Sequence, residues 1–174
     1  TLANVQGIAV SGDYAYIADY SRGLQIIDIS SPTNPSYVGG YEISGHSKKV
    51  AVSGDYAYVT GPGSVFIMDI SDRVNPSPVG RYSGYGMDIA VSANHAYVAT
   101  YRDDLQVINI NDPANPSLVW SYNDSKGYAY GVTVSGNYAY VAAGSGGLKI
   151  IDINNPANPL PKGSYDISGR AYHM

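Results

Sequence analysis

Few residues in this chain carry the chemistry of an active site. It has three histidines, fourteen Asp and Glu side chains and no cysteine in 174 residues. His46 stands in "SGHSKK" with Lys48 and Lys49, where a neutral imidazole could serve as a general base. No serine or aspartate lies at a recognisable spacing to complete a nucleophilic triad with it. "RDD", residues 102–104, sets Asp103 and Asp104 side by side, a beginning for a hard-cation site such as calcium. Calcium takes about six to eight oxygen ligands, so two carboxylates fall short and a solvated loop is the better account. "GSGG" at 144–147 lies between strands and not before a helix, so it is no phosphate loop. Asn123 opens an Asn-Asp-Ser triplet that fits the glycosylation acceptor pattern. Without cysteine, disulfides and thiol-based metal or redox chemistry are excluded, and no cofactor is expected.

The stronger signal is repetition. "AVSGDYAY" begins at Ala9 and again at Ala51, with close copies at Ala90 and Thr133, giving spacings of 42, 39 and 43 residues. A fixed period of this size points to stacked supersecondary units. Each copy holds four runs rich in Val, Ile and Tyr; in the first they are 7–10, 14–18, 24–29 and 36–43. Such residues favour a pleated, half-buried surface. "SGD" between the first two runs is a tight hairpin signal, and "SSPTNP" between the third and fourth ends one strand and starts a turn. Four antiparallel strands in about 40 residues, repeated, predict an all-β fold, a β-propeller of four-stranded antiparallel blades with four blades in this chain. The blades fall roughly at 7–44, 45–86, 87–127 and 128–172, forming a single propeller unit or a propeller fragment.

The third run of each copy reads "LQIID" at 24–28, "VFIMD" at 65–69, "LQVIN" at 105–109 and "LKIID" at 148–152. With the flanking "AVSGDYAYVA"-like and "NPANP" elements, these resemble the LVIVD repeat family over essentially the whole chain. The resemblance implies tandem propeller blades in a bacterial or archaeal protein, commonly exported or surface-attached, with no general enzymatic activity. Asn109 departs from the motif's aspartate. Hydrogen bonding of Asp28, Asp69 and Asp152 to a neighbouring turn accounts for their recurrence and for this exception. His95 stands where other copies have Tyr14, Tyr56 and Tyr138, which predicts a packing substitute.

Turns between strands one and two, and between three and four, lie on one face of such a blade, and they hardly vary between copies. The opposite face carries loops that do vary: "DYSRG", "TGPGS", "TYRDD" and "AGSGG" between strands two and three, with links "SGHSKK", "GYGMD", "KGYAYG" and "SGRAYH". Variable loops on a rigid scaffold are where binding residues sit. Eleven of the eighteen tyrosines occupy repeated scaffold positions, whereas Tyr20, Tyr85, Tyr101, Tyr128, Tyr130 and Tyr172 fall in the variable loops. Arg22, His46, Lys48, Arg102 and Arg170 fall beside them. Tyr and Arg give stiff contact area with a polar end, suited to a protein or a sugar face. Plugging of the channel and rim is the competing account of these tyrosines.

A net charge of −4 with scattered cations argues against nucleic acid, and no apolar run is long enough to span a membrane. The chain begins at Thr1 without an initiator methionine, which predicts a processed protein or a piece of a longer one. "NVQGI" at 4–8 corresponds to 128–132 and also to 170–174, so a fifth blade is entered and not built. Exposed end faces would then invite self-association through the terminal blades. The expected function is a non-enzymatic, extracellular or cell-surface propeller binding a protein or glycan through its variable face. The alternatives are a structural subunit assembling into a surface layer, ring or fibre, and more distantly a hydrolase or lyase using His46.

Overall fold

The computed structural model describes residues 4–61, 63–101, 103–123 and 128–171. The described residues form sixteen strands in four separate antiparallel sheets. The first sheet holds β1 (Val5–Ser11), β2 (Tyr14–Asp19), β3 (Gly23–Asp28) and β4 (Ser36–Tyr41), in that order. The second holds β5 (Lys49–Ser53), β6 (Tyr56–Gly61), β7 (Ser64–Asp69) and β8 (Ser77–Ser83). The third holds β9 (Gly86–Ser92), β10 (His95–Thr100), β11 (Leu105–Asn109) and β12 (Ser117–Tyr122). The fourth holds β13 (Gly131–Ser135), β14 (Tyr138–Ala142), β15 (Leu148–Asp152) and β16 (Leu160–Tyr165). The expected four-stranded blades are thus present, and the chain is a β-propeller arc. Strand ends differ from the sequence reading by a residue or two in either direction: β1 extends to Val5 and Ser11, whereas β3 stops at Asp28 and β4 at Tyr41.

The innermost strands β1, β5, β9 and β13 pack side by side in chain order. Blades two and three are sandwiched between neighbours, so both faces of their second and third strands must be apolar, and the repeat copies that pattern into every blade. That is why "YAYIA" and "LQIID" read as almost continuous apolar runs. The back of blade one, with Tyr16, Ala18, Leu24 and Ile26, packs on Val50, Ala57, Val59, Met68 and Ile70 at the front of blade two. The same arrangement joins Tyr58, Val65 and Ile67 to Ile89, Ala96, Val98, Ile108 and Ile110. It recurs between Tyr97, Leu105 and Val107 and the front of blade four, with Val132, Val141, Ile151 and Ile153. Full burial of one such side chain is worth about 1.5–3 kcal/mol, so these three cores are the main hold between blades.

Two details recur in every blade. The third and fourth strands share a one-residue bulge at Ile26/Ile27, Ile67/Met68, Val107/Ile108 and Ile150/Ile151, which bends the outer strand. The hairpin turn after the first strand puts Gly12, Gly54 and Gly136 at φ of 56°, 57° and 55°. In blade three this left-handed place is taken by Ala93, at φ 48°.

Candidate functional site

The link entering each blade lies against the second-to-third loop of the blade before it. Tyr20 from blade one stacks on His46 at the entry to blade two, with ring centroids 3.9 Å apart and planes 10° from parallel. Tyr101 from blade three meets Tyr128 at 4.8 Å and Tyr130 at 6.1 Å, both at the entry to blade four. Between blades two and three the partner of Tyr85 is instead Gly63, where an added Cβ would lie 3.7 Å from the ring. At the place of Tyr20 and Tyr101 this loop carries Pro62, which lies outside the described residues, and a cleft lies beside Tyr85.

The cleft has a volume of about 460 Å³. It is lined by His46, Lys48 and Gly61 of the second blade and by Tyr85, Gly86, Met87 and Tyr101 of the third. Its floor is held by the sheet: Lys48 N–H donates to the Thr60 carbonyl at 2.9 Å, and Lys49 N–H to Thr60 Oγ1 at 3.0 Å. Lys48 Nζ lies 3.6 Å from Met87 Sδ, so the one ammonium of the cleft has only a weak acceptor beside it. Tyr85 and Tyr101 are 64% and 43% exposed, large apolar rings offered to solvent. Both cleft tyrosines, His46 and Lys48 carry a signal in the sequence. Gly61 and Met87 do not, since a glycine reads as a turn until its neighbours are known.

The other sequence candidates are placed as follows. Arg22 is exposed, and its N–H donates to the Asp19 carboxylate at 3.2 Å, within a loop Asp19 also ties to Ser21. Arg170 is exposed beside the paired bonds of Ala171 and Gly144. Arg102 and Tyr172 lie outside the described residues. Asp103 and Asp104 are absorbed by their own loop: Asp103 N–H donates to Thr100 Oγ1 at 2.9 Å, and Asp103 accepts from Gln106 Nε2 at 2.9 Å, while Asp104 is buried. Among the described residues no three His, Cys, Asp or Glu side chains gather to hold a metal ion. Asn123 is exposed, and Asp124 and Ser125 of its triplet lie outside the described residues.

The recurring carboxylates are turn caps. Asp28 accepts from Ser30 N–H at 2.8 Å, Asp69 from Ser71 N–H at 2.8 Å and Asp152 from Asn154 N–H at 3.0 Å. Asn109 makes the same bond to Asn111 N–H at 2.8 Å with its amide oxygen. Side-chain bonding from Ser30 and Ser71 holds the Asp28 and Asp69 carboxyls below the ordinary value, and the Asn154 N–H does so for Asp152. Burial pushes the His95 imidazole down, which suits a neutral ring at a tyrosine's place in the blade.

A sequence model described as LVIVD repeat matches residues 3–43, 44–83, 83–124 and 126–167. None of the curated proteins matches in sequence. Among solved structures, a protein of Bacteroides uniformis named provisionally as a 6-phosphogluconolactonase is similar at 15% identity and TM-score 0.79, over 96% of this chain and 55% of that one. The β-propeller domain of Cps50 (Swd1) from Myceliophteria thermophila gives 13% identity and TM-score 0.76, over 94% and 58%. The computationally designed protein Ika8 gives 12% and 0.72, over 97% and 50%. This chain therefore spans about half the length of these chains. At such identities the likeness is one of fold.

Proposed function

From the premise that the chain belongs to the LVIVD repeat family, we propose that it is a non-enzymatic binding module whose variable face holds a segment of a partner protein. The cleft between blades two and three carries this reading. A cleft of about 460 Å³ falls in the size range of ligand sites, about 300–1,000 Å³. Its walls are mainly ring faces, glycine backbone and a thioether, with polar groups confined to His46, Lys48 and tyrosine hydroxyls. Such a surface accepts an apolar or aromatic side chain with a carboxylate near Lys48. A sugar would ask for more planar polar side chains than the cleft supplies. The family resemblance supports a setting outside the cell or on its surface.

Selection of displayed peptides, run beside a glycan array, tests this. The expected outcome is enrichment of peptides with an apolar anchor next to Asp or Glu. Tyr85→Ala with Tyr101→Ala should weaken them at least about 30-fold, the cost of losing an interface anchor. Glycans bound in place of peptides, or peptides indifferent to both substitutions, would overturn it.

A further inference from the structure

The face opposite the cleft carries a second opening between the same two blades, and a side chain of the protein itself shows what suits such a place. Between blades one and two, Arg73 reaches back across the boundary onto the paired tyrosines of β2. Its Nε donates to the Tyr16 hydroxyl at 3.1 Å, and its guanidinium carbon lies 4.7 Å from the centre of the Tyr14 ring. An accepting oxygen and the negative face of a ring thus hold one planar cation together.

Blades two and three repeat this junction without the arginine. Tyr56 and Tyr58 of β6 hold the places of Tyr14 and Tyr16, and Pro113 holds the place of Arg73. The turn is seated alike in both: a Cβ added to Gly39 would collide with the Arg73 carbonyl, and one added to Gly80 with the Pro113 carbonyl. The side chain is what differs. An opening of about 290 Å³ lies there, its lining including Asp55, Tyr56, Tyr58, Asn94, Asn111 and Pro113 and no lysine or arginine. Among the described residues the Tyr58 hydroxyl has no hydrogen-bond partner, whereas its counterpart Tyr16 has Arg73. Burial pushes the Tyr58 phenol up, with Tyr56 adding to it, so the hydroxyl is neutral near pH 7 and keeps lone pairs for a donor. Asp55 supplies a carboxylate, which is also a charge neighbour of Arg73. Between blades three and four the paired tyrosines are not repeated, since His95 takes the first place.

We propose that this opening is a second binding site, on the invariant face, for the guanidinium of an arginine side chain presented by a partner protein. The ion takes the place that Arg73 takes one junction earlier, with N–H groups toward the Tyr58 hydroxyl and the Asp55 carboxylate and its plane against Tyr56. A lysine ammonium is a strongly hydrated point charge without a flat face, and suits that place less well. A free arginine would bring its own carboxylate toward Asp55, which a residue within a peptide does not.

The test is titration of the isotope-labelled full chain with N-acetyl-arginine amide, followed by backbone amide shifts. Saturable shifts at Asp55, Asn94 and Asn111 are expected, with Kd near about 1 mM for a ligand of this size. N-acetyl-lysine amide and the uncharged citrulline analogue should bind at least about tenfold more weakly, and free arginine no more tightly than the amide. Tyr58→Phe, which keeps the ring, should weaken the arginine amide at least about fivefold. Pro113→Arg, which restores the residue found one junction earlier, should close the site to it. Lysine or citrulline analogues binding equally, free arginine binding more tightly, or shifts at Tyr85 and Met87 on the other face in place of these would overturn the proposal. So would no shift at all, or binding indifferent to both substitutions.

Discussion

Asn109 stands where three other blades carry Asp28, Asp69 and Asp152, and it makes the same bond to the turn that follows. The oxygen is required and the charge is not. The charge does set a pH dependence. These three carboxyls, with Asp72 and Asp112 capped in the adjoining turns, are all held below their ordinary value of 3.8. A carboxyl lowered by folding binds fewer protons in the native state. Its contribution is therefore present above the unfolded pKa and is lost as pH falls through the folded one. The melting temperature should be flat near neutrality and fall below about pH 4. Asp69→Asn should keep stability at neutral pH and flatten that acid limb, while Asp69→Ala should lower the melting temperature by a few degrees at both. Calorimetry across pH separates the three proteins.

At the scale of the element, the hairpin turn shows how the repeat constrains its own letters. Three turns hold glycine in the left-handed region, and the fourth holds Ala93 there at φ 48°. A Cβ in that region costs about 1 kcal/mol, and the space it occupies is exposed. Ala93→Gly should raise stability by up to about 1 kcal/mol in denaturant unfolding, with the slope unchanged. The strands and their caps were legible because they depend on local chemistry, copied four times: "SGD", the Val, Ile and Tyr runs, and the Asp or Asn before the turn. The cleft was half legible. Tyr85, Tyr101, His46 and Lys48 stand out by varying between copies, but what Tyr85 packs on, Gly63 across a blade boundary, does not. That relation joins positions 22 apart and has no local signature. The same holds for Arg73, whose Nε donates to Tyr16 hydroxyl at 3.1 Å while its guanidinium lies over Tyr14.

For the whole molecule, equal residues have unequal worth according to where their blade stands. Ile89 is buried between blades two and three, and Ile8, its counterpart, faces solvent. Ile89→Ala should cost about 2–5 kcal/mol, and Ile8→Ala less than about 1 kcal/mol, in this chain of 174 residues. Denaturant unfolding at low protein concentration measures both. The sequence shows the repeat; only packing shows which side chains of one blade meet those of the next.

The separation of the sheets has a mechanical side. Backbone ladders run within each of the four sheets, and the sheets hold one another chiefly through side chains, with a few crossings such as Val132 N–H to Asp88 at 3.0 Å. Load applied along the arc falls on these packed seams, while load across a blade must break a row of backbone bonds together. Pulled by its ends, the molecule should yield as a hinged chain of stiff plates, losing blades one at a time with a step length near one repeat.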